Sequence, residues 1–212
     1  MCEPGTYSVG GKLTTCLACP AGSFCPTLGG NAPVTCPLGT YQPNVNKTYC
    51  NSCPPGSYCP SLTQSAPLAC PSGSYSPVTN STYCFECPTG FFCPSTSTQL
   101  PIACPRGYYS AANSSICTKC EGGSSCLGTR VSDKVSCDPL TGYFSFEGSS
   151  HCFKCPLGYS CSTAIVATAV LKVGEPLLTK CMEGQVSAEG ETSCSDCPAG
   201  KACYTKDSTT TT

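Results

Sequence analysis

Aromatic residues and cysteines recur along this chain at fixed distances from one another, separated by Gly, Pro, Ser, Thr and Asn. The clearest copy runs from Cys36 to Cys70, as CPLGTYQPNVNKTYC, NSCPPGSYC and PSLTQSAPLAC. One ring follows an early glycine (Tyr7, Tyr41, Tyr75, Tyr108, Tyr143), and a second precedes the last cysteine of a set (Phe24, Tyr58, Phe92, Tyr159). Such short apolar bursts between turn residues predict strands of about two to four residues and almost no helix. The rings are expected to cover disulfides, making a series of very small cores.

The cysteines fall into six sets of four, designated a, b, c and d. The sets begin at Cys2, Cys36, Cys70, Cys104, Cys137 and Cys181, at offsets of 34, 34, 34, 33 and 44. A fixed period in this range marks an array of modules that contact mainly their neighbours. The modules are assigned to 2–35, 36–69, 70–103, 104–136, 137–180 and 181–204, with a low-complexity Thr-rich tail at 205–212 that is expected to be disordered or to begin a linker. From b to c is always 3 residues and from c to d always 6, whereas a to b and d to the next a vary. CxxCPxGxxC is therefore expected to be the rigid piece, with loops on either side. Gly lies three residues after c in every module (Gly22, Gly56, Gly90, Gly123, Gly158, Gly200), mostly behind a Pro, which predicts a turn with positive φ.

Composition explains why the modules must be held covalently. The chain has 212 residues and 24 cysteines, and without cysteine its apolar fraction falls from 40% to about 29%. A single core is not expected. A disulfide closing a loop of about 15 residues contributes ~3 kcal/mol in the chain-entropy model. Cysteine at this density points to an oxidising, extracellular or cell-surface location. Charged residues are 11% and the net charge is −1, with no basic stripe for nucleic acid. No run reaches the ~18 apolar residues of a membrane span. Met1 is followed at once by Cys2, so a mature chain or a fragment of a longer one is expected.

Candidate chemistry is sparse. The six CxxC motifs invite redox or zinc readings, but no βαβ pattern accompanies them, and secretion favours disulfides over zinc thiolates. His151 has no catalytic partner in sequence. No catalytic residues, metal ligands or cofactor site are assigned, and the chain is expected not to be an enzyme. The sharper signal is glycosylation. Asn46-Lys-Thr, Asn80-Ser-Thr and Asn113-Ser-Ser are N-linked acceptor sequons, each Asn four residues before b. Gly148 and Gly190 hold the same slot, which therefore also reads as a turn that requires positive φ.

CPLGTYQPNVNKTYC resembles the first submodule of a tumour-necrosis-factor-receptor repeat, and the array as a whole resembles ephrin-receptor-like cysteine-rich repeats. Its compact CPxGxYCP form is similar to tandem arrays in large surface proteins of protists and algae. The resemblance implies a small disulfide-rich repeat fold, an elongated tandem array of six cysteine-rich modules with short β-strands and turns. It implies a pairing of a with b: Cys2–Cys16, Cys36–Cys50, Cys70–Cys84, Cys104–Cys117, Cys137–Cys152 and Cys181–Cys194. The second submodule departs from the receptor pattern. With a and b assigned, c is left for d: Cys19–Cys25, Cys53–Cys59, Cys87–Cys93, Cys120–Cys126, Cys155–Cys161 and Cys197–Cys203. The alternative joins d to the next a and leaves Cys2 and Cys203 over, able to link subunits head to tail.

The pattern breaks once, at 162–180, where STAIVATAVLKVGEPLLTK replaces a ten-residue linker. Its apolar, β-branched content favours a strand. One reading is a local flap over modules five and six. The other is a subunit contact through Ile165, Val166, Val170, Leu171, Val173, Leu177 and Leu178, because thin modules offer little core to bury such a strand. Together these features lead to the expectation of an extracellular, glycosylated structural repeat that self-associates into a homopolymeric fibre, filament or surface coat. The alternative is the ectodomain of a receptor or adhesin that binds a protein ligand.

Overall fold

The computed structural model describes residues 1–10, 15–128, 131–162, 177–203 and 210–211. It is a disulfide-rich repeat protein whose regular elements are almost all short strands. Nearly all strands are two residues long, and the one described helical turn is Pro139–Thr141. The chain divides into two units. One comprises Met1–Pro88, Phe92–Ile102 and Ala112–Ile116; the other comprises Thr89–Phe91, Ala103–Ala111 and Cys117–Thr212.

The backbone repeats twice as often as the cysteine pattern. Each 34-residue module contains two equivalent antiparallel hairpins. Thr40–Tyr41 pairs with Asn51–Ser52, and the next hairpin pairs Ser57–Tyr58 with Leu68–Ala69. Counted from the first cysteine of each hairpin, the lead cysteine, the spacing is 17 from Cys2 through Cys104. Among the described residues, twelve such half-repeats carry twelve two-stranded sheets and twelve disulfides. Of the segments expected as loops around CxxCPxGxxC, the one from a to b thus holds the first strand of a hairpin (Thr40–Tyr41) and the one from d to the next a holds a return strand (Leu68–Ala69), while the residues between b and c, Asn51–Ser52, are the other return strand.

Each half-repeat opens with a tight turn, and in 36–52 it is of type II. The Thr40 N–H donates to Pro37 O at 3.1 Å, and Gly39 between them has φ of 79°. The turn glycine then ties its half-repeat to the next. The Gly39 N–H donates to Cys59 O and the Cys53 N–H donates to Gly39 O, both at 2.9 Å. Two further bonds complete the join: Gln42 N–H to Gln64 O at 2.9 Å and Thr63 N–H to Cys36 O at 3.4 Å. The same four bonds join 19–35 to 36–52 in the first unit and 120–136 to 137–154 in the second. Strands this short cannot stand alone; backbone bonds between successive hairpins supply what the sheets lack.

Sulfur fills the interior. Cys19, Cys36, Cys53, Cys59, Cys70, Cys87, Cys93, Cys104, Cys120, Cys126 and Cys155 are fully buried, while many large aliphatic side chains are exposed. The disulfides join a with b and c with d in every module, and no cysteine is free. The position three residues after the turn glycine of each hairpin alternates. In c–d half-repeats it is the cysteine that closes the short loop. In a–b half-repeats it is a buried polar residue: Ser8, Gln42, Ser76, Ser110, Ser145 or Ser187. These polar groups are bonded. Ser145 Oγ donates to Ser124 O at 2.7 Å and Ser187 Oγ to Tyr159 O at 2.8 Å, each reaching back into the preceding half-repeat. Gln42 Nε2 donates to Tyr49 O, and its Oε1 accepts from the Asn44 N–H. Ser145→Ala is expected to lower the stability of the second unit by about 1–2 kcal/mol, the cost of losing one buried bond; the shift in denaturant midpoint of the secreted protein measures it.

The break at 162–180 begins and ends in a longer hairpin. Tyr159–Ser162 pairs with Leu177–Lys180 across four residues, while 163–176 lie outside the described residues. Leu178 packs with Tyr159 against Phe144, Cys155 and Cys161, a local core in which rings do cover a disulfide. Within the tail expected to be disordered, Thr210–Thr211 is instead the return strand of the last hairpin, paired with Ala202–Cys203.

Candidate glycosylation face

The sequons fall in a slot on the return side of each a–b hairpin, four residues before cysteine b, and the backbone explains its demands. The N–H groups of Asn46 and Asn80 donate inward to Cys19 O and Cys53 O at 2.9 Å, and that of Asn113 to Cys87 O at 2.7 Å. The carbonyl of the same residue lies over a turn glycine two half-repeats back: a Cβ placed on Gly39 would sit 2.3 Å from Asn80 O. With both backbone groups committed inward, the residue takes φ of 59° at Asn46 and Asn80 and 61° at Asn113. Asn tolerates this left-handed conformation better than most residues. All three asparagines are exposed. The turn requirement and an exposed acceptor sequon thus coincide at one residue.

The slot is not confined to asparagine. Gly148 and Gly190 occupy it with φ of 79° and 85°, and in the intervening half-repeats Thr63 and Ser97 occupy it with φ of 61° and 66°. A β-branched threonine there is an outlier in ordinary proteins; the surrounding bonds hold it. Sequence reasoning found the slot in a–b half-repeats, where Asn and Gly announce it. It missed the slot in c–d half-repeats, where Thr and Ser carry no such signal.

Other candidate chemistry does not converge. His151 is exposed, rests 4.2 Å from the ring of Phe153, and contacts Ser150 Oγ at 3.2 Å through Nδ1. Among the described residues no group of three His, Cys, Asp or Glu could hold a metal ion. Lys119–Glu147 and Lys134–Glu121 form exposed ion pairs; the hydrogen bond with Glu121 holds the Lys134 ammonium above its usual pKa. A shallow depression of about 290 Å³ is lined by Leu140, Thr141, Gly190 and Glu191. The Glu191 carboxylate is already engaged by the Ala188 N–H. Among the described residues no helix is long and apolar enough to cross a membrane. Of the expected contact residues, Leu178 lies in the fifth module's core and Leu177 pairs with Ser162 through its backbone. Ile165, Val166, Val170, Leu171 and Val173 lie outside the described residues.

No family model and no curated protein matches the chain.

Proposed function

We propose that this chain is an extracellular, glycosylated structural repeat that self-associates into a fibre or surface coat. The observation that carries the reading is the backbone join between half-repeats. Because main-chain groups make it, the same geometry recurs through half-repeats whose exposed side chains differ, provided the turn glycine is kept, which suits a scaffold better than a site for one ligand. The low charge and the sparse convergent chemistry support it. Sugar on Asn46, Asn80 and Asn113 gives so uncharged a surface its solubility. The resemblance to ephrin-receptor-like repeats belongs to this proposal and says nothing of a ligand, since such folds host many functions.

Electron microscopy and sedimentation of protein secreted from a glycosylating cell test it. Filaments or concentration-dependent oligomers are expected. Discrete monomers that bind a protein ligand would instead support a receptor or adhesin ectodomain. With Leu178 serving the module core, the contact is proposed at Ile165, Val166, Val170, Leu171, Val173 and Leu177. Val166→Asp combined with Leu171→Lys is then expected to abolish assembly and leave the disulfides intact; normal assembly by that variant removes the segment as the contact.

A further inference from the structure

The residue just before cysteine b changes character with the sequon. In the three a–b half-repeats with an acceptor asparagine it is large, apolar and exposed: Tyr49 at 61%, Tyr83 at 58% and Ile116 at 70%. In the three without one it is Thr15, His151 or Ser193. Bare apolar side chains of this size are not unusual singly. Among a–b half-repeats, however, they occur only where Asn stands three residues before them, and that restriction needs a physical link.

We infer that the N-linked sugar on Asn46, Asn80 and Asn113 folds back over Tyr49, Tyr83 and Ile116, so that each glycan covers the apolar side chain of its own half-repeat. This rests on the glycosylation reading above. The pair stands three positions apart in the chain, so their Cα atoms are at most about 10 Å apart, within reach of the first sugars of an attached glycan. The apolar C–H face of a pyranose suits an aromatic or branched aliphatic surface, and the covered area leaves water. At Tyr83 the platform is larger: its ring meets Phe85 edge-on at 4.8 Å, and Phe85 meets Tyr75 at 5.7 Å. The Tyr49 backbone is held from below by Gln42. The backbone of the slot is bonded inward, and all three asparagines are exposed. Leu100, 67% exposed, stands in the equivalent place after Ser97, where there is no acceptor asparagine, and serves as an internal control.

The test uses the full chain secreted from a eukaryotic cell that adds high-mannose glycans. Intact-glycopeptide mass spectrometry first measures occupancy; bare asparagines at all three sites overturn the glycosylation reading and this inference with it. On occupied protein, hydroxyl-radical footprinting compares Tyr49, Tyr83, Ile116 and Leu100 before trimming, after trimming to one N-acetylglucosamine, and after complete removal by an amidase. Oxidation of the first three is expected to rise about threefold or more on complete removal, as most of each exposed face is uncovered, with Leu100 unchanged. Asn80→Gly, which keeps the left-handed slot, is expected to raise oxidation at Tyr83 and not at Tyr49. Equal oxidation with and without sugar at occupied sites overturns the inference and leaves glycosylation standing.

Discussion

Moving one disulfide along the chain should leave this protein folded. Cys84→Ser alone is expected to cost about 3 kcal/mol by opening the loop that Cys70–Cys84 closes, and to leave Cys70, a buried residue, as a free thiol. Adding Ser76→Cys should recover most of that loss through a new bond between the Cys70 sulfur and the introduced thiol. The reason is the equivalence of half-repeats. Ser76 holds in 70–86 the place that Cys59 holds in 53–69, and Cys53–Cys59 closes that shorter loop. Ser76 is fully buried and bonded to Ser81 Oγ, so a thiol introduced there faces the interior. Peptide mapping without reduction would show the new link, and denaturant midpoints would show the recovery. A double variant as unstable as Cys84→Ser would mean that the two kinds of half-repeat are not interchangeable.

The second large effect is expected at the turn glycines. Gly39→Ala must accept φ of 79° and a Cβ 2.3 Å from Asn80 O, which is backbone and cannot swing away. Gly10 has φ of 72° but, among the described residues, nothing within 4 Å of an added Cβ. Left-handed strain alone costs roughly 1–2 kcal/mol, and that is the expectation for Gly10→Ala. Gly39→Ala adds a clash between half-repeats and should cost about twice as much or more, with a corresponding fall in secreted yield. Equal losses at the two glycines would show that the turn matters and the close approach does not.

The sequence displays the fold unevenly, for physical reasons. Cysteine positions are legible because covalent chemistry tolerates little drift, so the period of 34 is plain. That same regularity hides the period of 17. The second cysteine sits 14 residues after Cys36 but 6 after Cys53, so aligning cysteines makes the two halves look unlike. The signal that joins them is present in CPLGTY and CPPGSY, where turn chemistry repeats in both halves. The buried serines were not legible, because a hydroxyl that satisfies a main-chain carbonyl looks in sequence like a surface residue. The candidate site was half legible: Asn46, Asn80 and Asn113 declare both an acceptor and a left-handed turn, while Thr63 and Ser97 adopt that turn only because neighbouring half-repeats hold them there.

Amide hydrogen exchange on the oxidised, secreted protein tests the 17-residue design most directly. The account predicts slow exchange at Gly39, Cys53 and Thr63 and equally slow exchange at Gly22, Cys36 and Asn46, the matching donors of the preceding half-repeat join. Protection confined to one half-repeat of each pair, repeating every 34 residues, would contradict it.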